Sequence, residues 1–389
     1  MTLGIYAGET TPLAGGAHTL IETIKAEIAS SNCPHDIVVF FSDSTSAAEI
    51  RVGRVLNVNT HKRNRGSLVV RAKRKLPRLI GSSARADWFD GLLRDCRIDL
   101  LWILGPYNRE VSVPYIFTVW DLAHRVLPFF PEFRSAGWTW EARENTYQKM
   151  LYKASYIVTG NEAGKREILE NYPVHPGKIC VVPFPVPRTC YEARSLPPSI
   201  DGIHEPFVFY PAQFWAHKNH VVLVNALRYL RDEKGVRVNC YFAGSDSGNQ
   251  HHVQMRINET GMGDQIRILG FVDDTTLRFL YEKALAMTFV SLLGPNNLPP
   301  LEAAALGCPV VLSDLEGHRE QMGDAALFVN PTDTQAVGNA ILRILSDAQL
   351  RNELIERGKD LAEHLRRSSY FGEILKVIDA FSSLRACWA

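Results

Sequence analysis

The residues with the clearest capacity for chemistry lie between Ser291 and Val311. The apolar run Met287 to Leu293 reads as a buried strand, and Gly294, Pro295, Asn296 and Asn297 turn the chain. A short helix then begins at Pro299 or Pro300, where a missing N–H is no loss. Gly307 and Pro309 end it before the strand Val310 to Leu312. A strand, a loop of small residues and a helix start aim backbone N–H groups at whatever stands in front of them. Those groups and the helix dipole favour an anion such as a diphosphate. Glu302 falls in the first helical turn. A carboxylate is a poor neighbour for a diphosphate but a good acceptor for two sugar hydroxyls, which points to a ribose. The same residues also fit an ordinary turn in which Glu302 only offsets the helix dipole.

Other candidates follow strands in the same way. Leu3 to Ala7 is a short buried strand that leads through Pro12 to Gly15 and Gly16 and into a helix striped by Leu20, Ile21, Ile24 and Ile28. The double glycine allows close backbone approach to a ligand, and it also fits a plain turn. Asp121 and His124 follow the strand Tyr115 to Val119, and polar residues at such strand ends face the ligand crevice of parallel sheets. Asp121 fits a helix cap as well, and His124 a structural histidine. Pro128 to Phe133 is an aromatic and proline loop able to shape an acceptor pocket. Gln213 and Lys218 follow the strand Phe207 to Tyr210 and precede a helix.

Strands alternate with helices in both halves of the 389 residues, so two doubly wound α/β domains are expected. Their boundaries fall at 1–185 and 207–367, with the proline-rich stretch 186–206 as linker and a final amphipathic helix at about 368–389. Apolar content of 46% and charged content of 22% are those of a soluble globular chain. A net charge of +1 implies no overall attraction to polyanions. Seven scattered cysteines without a Cys-x-x-Cys favour buried thiols in a reducing compartment. No basic leader and no membrane-spanning run occur, so a cytoplasmic protein is expected, peripheral on the inner face of the cytoplasmic membrane. No Asp-x-Asp, His-x-x-x-His or His-Glu-x-x-His pattern occurs, so neither a metal site nor another cofactor is expected. Ile50 to Ala86 lacks any acid and carries ten basic residues between Arg51 and Arg78. That run suits an anionic membrane surface or a lipid diphosphate acceptor, or else a solvated charged face. It has no interleaved aromatic residues for base stacking, so no nucleic acid partner is expected.

Leu298-Pro299-Pro300-Leu301-Glu302 resembles the second half of the donor loop of the family 4 glycosyltransferases. These are retaining enzymes of the two-domain GT-B fold, and their usual pattern is Glu-Gly-Phe-Gly-Leu-Pro-x-Leu-Glu. Gly294 stands where the first glutamate would. The resemblance implies that Glu302 binds the nucleotide ribose. The sugar contact of the first glutamate then comes from elsewhere, such as Asn296, Asn297 or backbone N–H groups. Pro12-Leu13-Ala14-Gly15-Gly16 resembles the Pro-x-x-Gly-Gly loop of the family, which implies that Gly15 and Gly16 meet the donor diphosphate. Gln213 and Lys218 hold the places of an Arg and a Lys that grip that diphosphate, which leaves Lys218 with more of the charge. Trp120-Asp121-Leu122 stands in the place of His-Asp-Leu, implying that Asp121, with His124 filling part of the histidine's role, lies near the reacting sugar. Phe271 and Val272 take the place of the nucleobase contacts, and the last helix packs back on the first domain.

The implied fold is therefore GT-B, with two Rossmann-like domains facing across a cleft. The implied activity is retaining transfer of a hexose, mannose foremost, from a nucleotide sugar such as GDP-mannose. The acceptor would be a glycan or a polyprenyl-diphosphate-linked glycan in bacterial surface polysaccharide (O-antigen) synthesis. Lys218 and the loop Asn296 to Leu298 would stabilise the leaving diphosphate. Two alternatives stay open: a GT-B sugar-nucleotide epimerase, for which no second carboxylate partners Asp121, and a non-catalytic nucleotide-sugar binder. A dinucleotide dehydrogenase is disfavoured, because no Gly-x-Gly-x-x-Gly follows the first strand.

Overall fold

A computed structural model describes residues 1–8, 16–31, 33–41, 54–57, 88–105, 107, 111–135, 139–192, 196–197 and 199–388. Gly15 and the basic run between Arg51 and Arg78, apart from the backbone of 54–57, lie outside the described residues.

The apolar runs of the first half become parallel strands. They are β1 (Thr2–Gly8), β2 (Asp36–Phe41), β3 (Arg54–Asn57), β4 (Leu100–Ile103), β5 (Tyr115–Thr118), β6 (Tyr156–Thr159) and β7 (Ile179–Val181), in the order β3-β2-β1-β4-β5-β6-β7. A strand covered by helices on both faces can be apolar throughout. β4 illustrates this: Leu100 and Trp102 enter one core cluster while Leu101 and Ile103 enter the other, as a two-residue period requires. The second half repeats the plan with β8 (Phe207–Pro211), β9 (Asn239–Ala243), β10 (Ile266–Gly270), β11 (Ala286–Phe289), β12 (Val310–Ser313) and β13 (Leu327–Val329). Their order is β10-β9-β8-β11-β12-β13, again parallel.

The last helix, Tyr370–Arg385, belongs spatially to the first sheet. Phe371 and Ile374 share a core cluster with Leu20 and Ile24 of the helix Gly16–Ser30, and the Phe371 ring stacks with Trp102 at 6.4 Å. Glu27 accepts hydrogen bonds from Ser369 Oγ at 2.8 Å and Phe371 N at 2.7 Å, fixing the entry to that helix. In the connection between the sheets, Val186 and Cys190 already pack into the second core.

The two sheets face each other through a defined seam. Asn161 caps the helix Glu162–Asn171 by accepting from Gly164 N at 2.8 Å, and its amide donates to Pro295 O at 2.7 Å in the other half. Glu320 accepts from the N–H groups of Glu162 and Ala163 at 2.6 and 3.0 Å. A carboxylate of one half thus meets the positive end of a helix in the other.

Candidate functional site

The donor-type loop leaves β11 and opens the helix Leu298–Ala305, one residue earlier than the sequence predicts. Two corrections follow. Glu302 sits in the second turn, so it does not offset the helix dipole. In addition, Pro299 and Pro300 supply no N–H, so only two of the first four helix residues can donate to an anion. Gly294 takes φ +112°, and an added Cβ would stand 2.7 Å from Asn297 Nδ2. Leu298 is buried among first-domain residues, and the Asn296 side chain packs against Gly160 of that domain. The loop is therefore part of the seam.

Lys218 reaches the same space from below. It closes the 3-10 turn Ala216–Lys218, and Asn219 then adopts φ +57°, a conformation that asparagine tolerates better than most residues. Asn219 Nδ2 holds that turn through Val290 O and Pro331 O, at 3.2 and 2.7 Å. Lys218 Nζ lies 4.8 Å above the Phe289 ring and donates to Asn297 Oδ1 at 3.1 Å. Asn297 Nδ2 lies 2.9 Å from His318 Nε2, and His318 Nδ1 lies 3.0 Å from Ser313 O. A carbonyl can only accept, so His318 carries its proton on Nδ1 and accepts from Asn297 on Nε2. Burial pushes His318 down to about 4, with Lys218 adding to the effect, so it stays neutral. Burial likewise lowers Lys218 to about 8, against the pull of Asp121 and Glu132.

A cavity of about 440 Å³ stands in front of these groups, with Gln213, Phe271, Val272 and Glu302 on one wall and Trp120 and Asp121 on the other. Gln213 donates to Ser245 Oγ at 3.1 Å and accepts from Trp215 Nε1 at 3.0 Å. Phe271 is exposed and not part of the core. Glu302 accepts from Tyr281 Oη at 2.7 Å, and burial raises its carboxyl against that bond. Beyond Glu302 a further cavity of about 500 Å³ is lined by Thr19, Glu22, Asp274, Arg278 and Tyr281. Gly16 begins the helix that carries Thr19.

The first domain contributes a third cavity of about 440 Å³, which shares Asp121, Lys218, Asn296 and Asn297 and adds Gly294, Glu132 and Arg143. Asp121 pairs with Arg143 and accepts from Ala123 N at 2.9 Å. Burial raises its carboxyl, but Arg143 and that N–H hold it below the usual carboxylate range. His124 is placed elsewhere. It is fully buried behind Asp121, stacked on Tyr147 and 3.2 Å from Glu144. Burial, aided by Arg143, pushes it down to about 4, so the place expected for it at a reacting sugar is not the one it occupies.

Several cleft residues carried little sequence signal. Glu132 and Phe133 belong to the aromatic and proline loop, which did point to a pocket. Glu132 Oε1 lies 3.2 Å from His217 N and also meets His217 Nδ1, joining the two domains. Burial lowers His217 and so favours its neutral form, while the His217 contacts outweigh burial to keep Glu132 ionised. Arg143 lies on the helix Trp140–Lys153 and His318 on Glu316–Met322. No motif distinguished either, because each acts through a partner distant in sequence.

Residues 202–361 match the family model for glycosyl transferases group 1. That stretch of the second half is thus similar to the group 1 glycosyltransferases. The O-antigen chain mannosyltransferase B of Escherichia coli is 28% identical over 221 residues, covering 55% of this chain and 58% of that protein. The O-antigen chain mannosyltransferase RfbU of Salmonella typhimurium is 24% identical over 206 residues, covering 52% and 55%. The chain thus spans little more than half the length of these relatives. Among solved structures, a glycosyltransferase from Rickettsia africae superposes with a TM-score of 0.68 at 16% identity over 98% of both chains. Anabaena HepE in complex with UDP-glucose gives 0.69 at 14% identity over 98% of this chain and 99% of that one. The fold is GT-B. Among the described residues no helix is long and apolar enough to cross a membrane.

Proposed function

We propose that this chain is a retaining glycosyltransferase that moves a hexose, mannose foremost, from a nucleotide-diphospho-sugar to a glycan or lipid-linked acceptor in surface polysaccharide synthesis. The observation that carries the reading is Lys218. It is a half-buried cation aimed into the interdomain cleft, held by a neutral amide, and among the described residues it has no carboxylate in ion-pair contact. A cation taken from water without a counter-ion is costly, and a diphosphate in the cleft would supply one. Glu302, held by Tyr281, would accept the ribose hydroxyls, and Phe271 and Val272 would flank the base. The two mannosyltransferase relatives support the choice of sugar.

In this reading the bond from the anomeric carbon to the phosphate oxygen breaks as a bond to the acceptor oxygen forms on the same face. The acceptor proton passes to the leaving phosphate oxygen, and Lys218 with the amides of the loop offsets the charge. Asp121, fixed by Arg143, would orient the sugar or acceptor. No metal is called for. Domain closure would expel water and limit donor hydrolysis. The protein would work in the cytoplasm, on the inner face of the membrane.

The placement of His124 and the bare Gly294 favour one second reading, a nucleotide-sugar binder without transfer. A thermal-shift screen against GDP, UDP, ADP and dTDP with matched sugar donors tests the site. A shift for one base, larger with one sugar, is expected, and no shift with any of them contradicts the reading. Slow donor hydrolysis then separates an enzyme from a binder.

A further inference from the structure

Glu132 opens the short helix Glu132–Ser135 of the first domain and is 8% exposed. Its Oε1 serves His217. Its Oε2 is buried and, among the described residues, has no hydrogen-bond partner. Buried carboxylate oxygens are rarely left this way, because the desolvation cost goes unanswered. The same cavity contains a second open group: Asn296 Nδ2 is also buried, with no partner among the described residues. One is an acceptor and the other a donor, and they come from opposite domains. A hydroxyl donates one hydrogen bond and accepts others, so a ligand bearing several hydroxyls satisfies both. Trp120, Phe133 and Trp215 give the cavity broad apolar walls, the usual complement to the faces of a ring.

Position narrows the choice of ligand. His217 O accepts from Leu292 N at 2.8 Å, so the residue gripped by Glu132 is bonded to the chain just before Gly294. Leu293 packs against Phe133, the neighbour of Glu132. Glu132 therefore delivers a carboxylate beside the one loop position that offers no side chain. Lys218 lines both this cavity and the one containing Glu302. A group held by Glu132 thus lies in the cavity that adjoins the one containing Glu302, with Lys218 in the wall of both.

We propose that Glu132 is a sugar-binding residue: Oε2 accepts hydrogen bonds from hydroxyls of the transferred hexose, Asn296 Nδ2 donates to the same ring, and Oε1 stays on His217. This rests on the reading of the cleft as a nucleotide-sugar site. It also makes sugar binding dependent on both domains, since neither half holds the ring alone.

Calorimetric titration of the full chain tests the proposal, using GDP with GDP-mannose and UDP with UDP-glucose, all without acceptor. Wild type is expected to bind one nucleotide sugar about tenfold more tightly than its bare diphosphate. Glu132→Gln keeps the shape and the His217 contact but replaces the accepting oxygen with a donor. It should lose that margin while its affinity for the bare diphosphate stays within about twofold, since a hydrogen bond to a charged group is worth about a factor of ten. Asn296→Ala should lose the same margin from the other side of the ring. A margin retained in both variants overturns the proposal. Equal weakening of diphosphate and nucleotide sugar also overturns it, because Glu132 would then only brace the domains through His217. Wild type that binds none of the four compounds overturns the underlying reading of the cleft. With no acceptor present, any loss of margin belongs to the donor's sugar and not to an acceptor glycan.

Discussion

Lys218 donates to Asn297 Oδ1 at 3.1 Å, and the amide it meets is held at its other end by His318. Ser313 O fixes the His318 tautomer, His318 fixes the Asn297 amide, and the amide oxygen is thereby turned toward Lys218. Asn297, Ser313 and His318, on three successive elements of the second half, thus set the direction of a positive charge that lies 79 positions before Asn297 in the chain.

Removing that charge should abolish most of the anion affinity. Lys218→Ala is expected to weaken nucleoside diphosphate binding at least tenfold by calorimetry. Unchanged affinity would take Lys218 out of the diphosphate site.

The depressed lysine also predicts a pH dependence. Lys218 in the empty cleft is charged below about pH 8 and neutral above it. A diphosphate binds the charged form, so binding above that pH must take up a proton. Affinity should therefore hold from pH 6 to 7.5 and fall as pH rises from 8 to 9.5, by up to about tenfold per unit. A flat profile over that range in wild type would contradict the assignment, and Lys218→Ala should lack this fall.

The Tyr281–Glu302 pair should matter to the nucleotide alone. Tyr281→Phe removes the hydrogen bond that orients Glu302 and is expected to weaken bare diphosphate binding by about three- to tenfold, at a cost of about 1 kcal/mol. Glu302→Ala should cost more, and equally for diphosphate and intact nucleotide sugar. An effect of Glu302→Ala on the intact donor only would remove the ribose contact.

The relay should appear as coupling. A double-mutant cycle on Lys218 and Asn297, each changed to Ala, should give about 0.5–3 kcal/mol of interaction in diphosphate binding. His318→Ala should weaken binding with no contact to the ligand. Strict additivity would mean that the relay does not position Lys218.

Restoring a glutamate at position 294 should harm the protein. The positive φ of Gly294 and the 2.7 Å approach to Asn297 leave no room for a side chain. Gly294→Glu is expected to lower stability by about 1–3 kcal/mol and to weaken donor binding, measured by melting temperature and calorimetry. A stable variant with raised activity would show that the loop readily adopts another conformation.

The sequence made the fold legible because parallel strands buried on both faces are continuous apolar runs, and Leu100 to Ile103 could hardly be anything else. Lys218, Gln213 and Glu302 could be singled out because the two loops that follow β8 and β11 resemble family 4 motifs, and the structure brings all three to one cavity. The helix start was misplaced by one residue, enough to move Glu302 out of the first turn, because consecutive prolines fit several early helical positions equally well. His124 was misjudged for a different reason. Three residues beyond a strand end, a side chain can turn into the cleft or into the core, and the stack on Tyr147 with the Glu144 contact draws it inward. The Glu132–His217 and Lys218–Asn297–His318 contacts join residues from 79 to 85 positions apart or lie between separate elements, and no local pattern encodes such meetings.

The most direct test of the central claim follows the nucleotide sugar selected by thermal shift by proton NMR, without acceptor, in the presence of wild type and of Lys218→Ala. The account predicts slow release of nucleoside diphosphate by wild type, with the sugar first appearing in the donor's anomeric configuration, and loss of release in the variant. Donor that stays intact with wild type, or sugar released with inverted configuration, would contradict it.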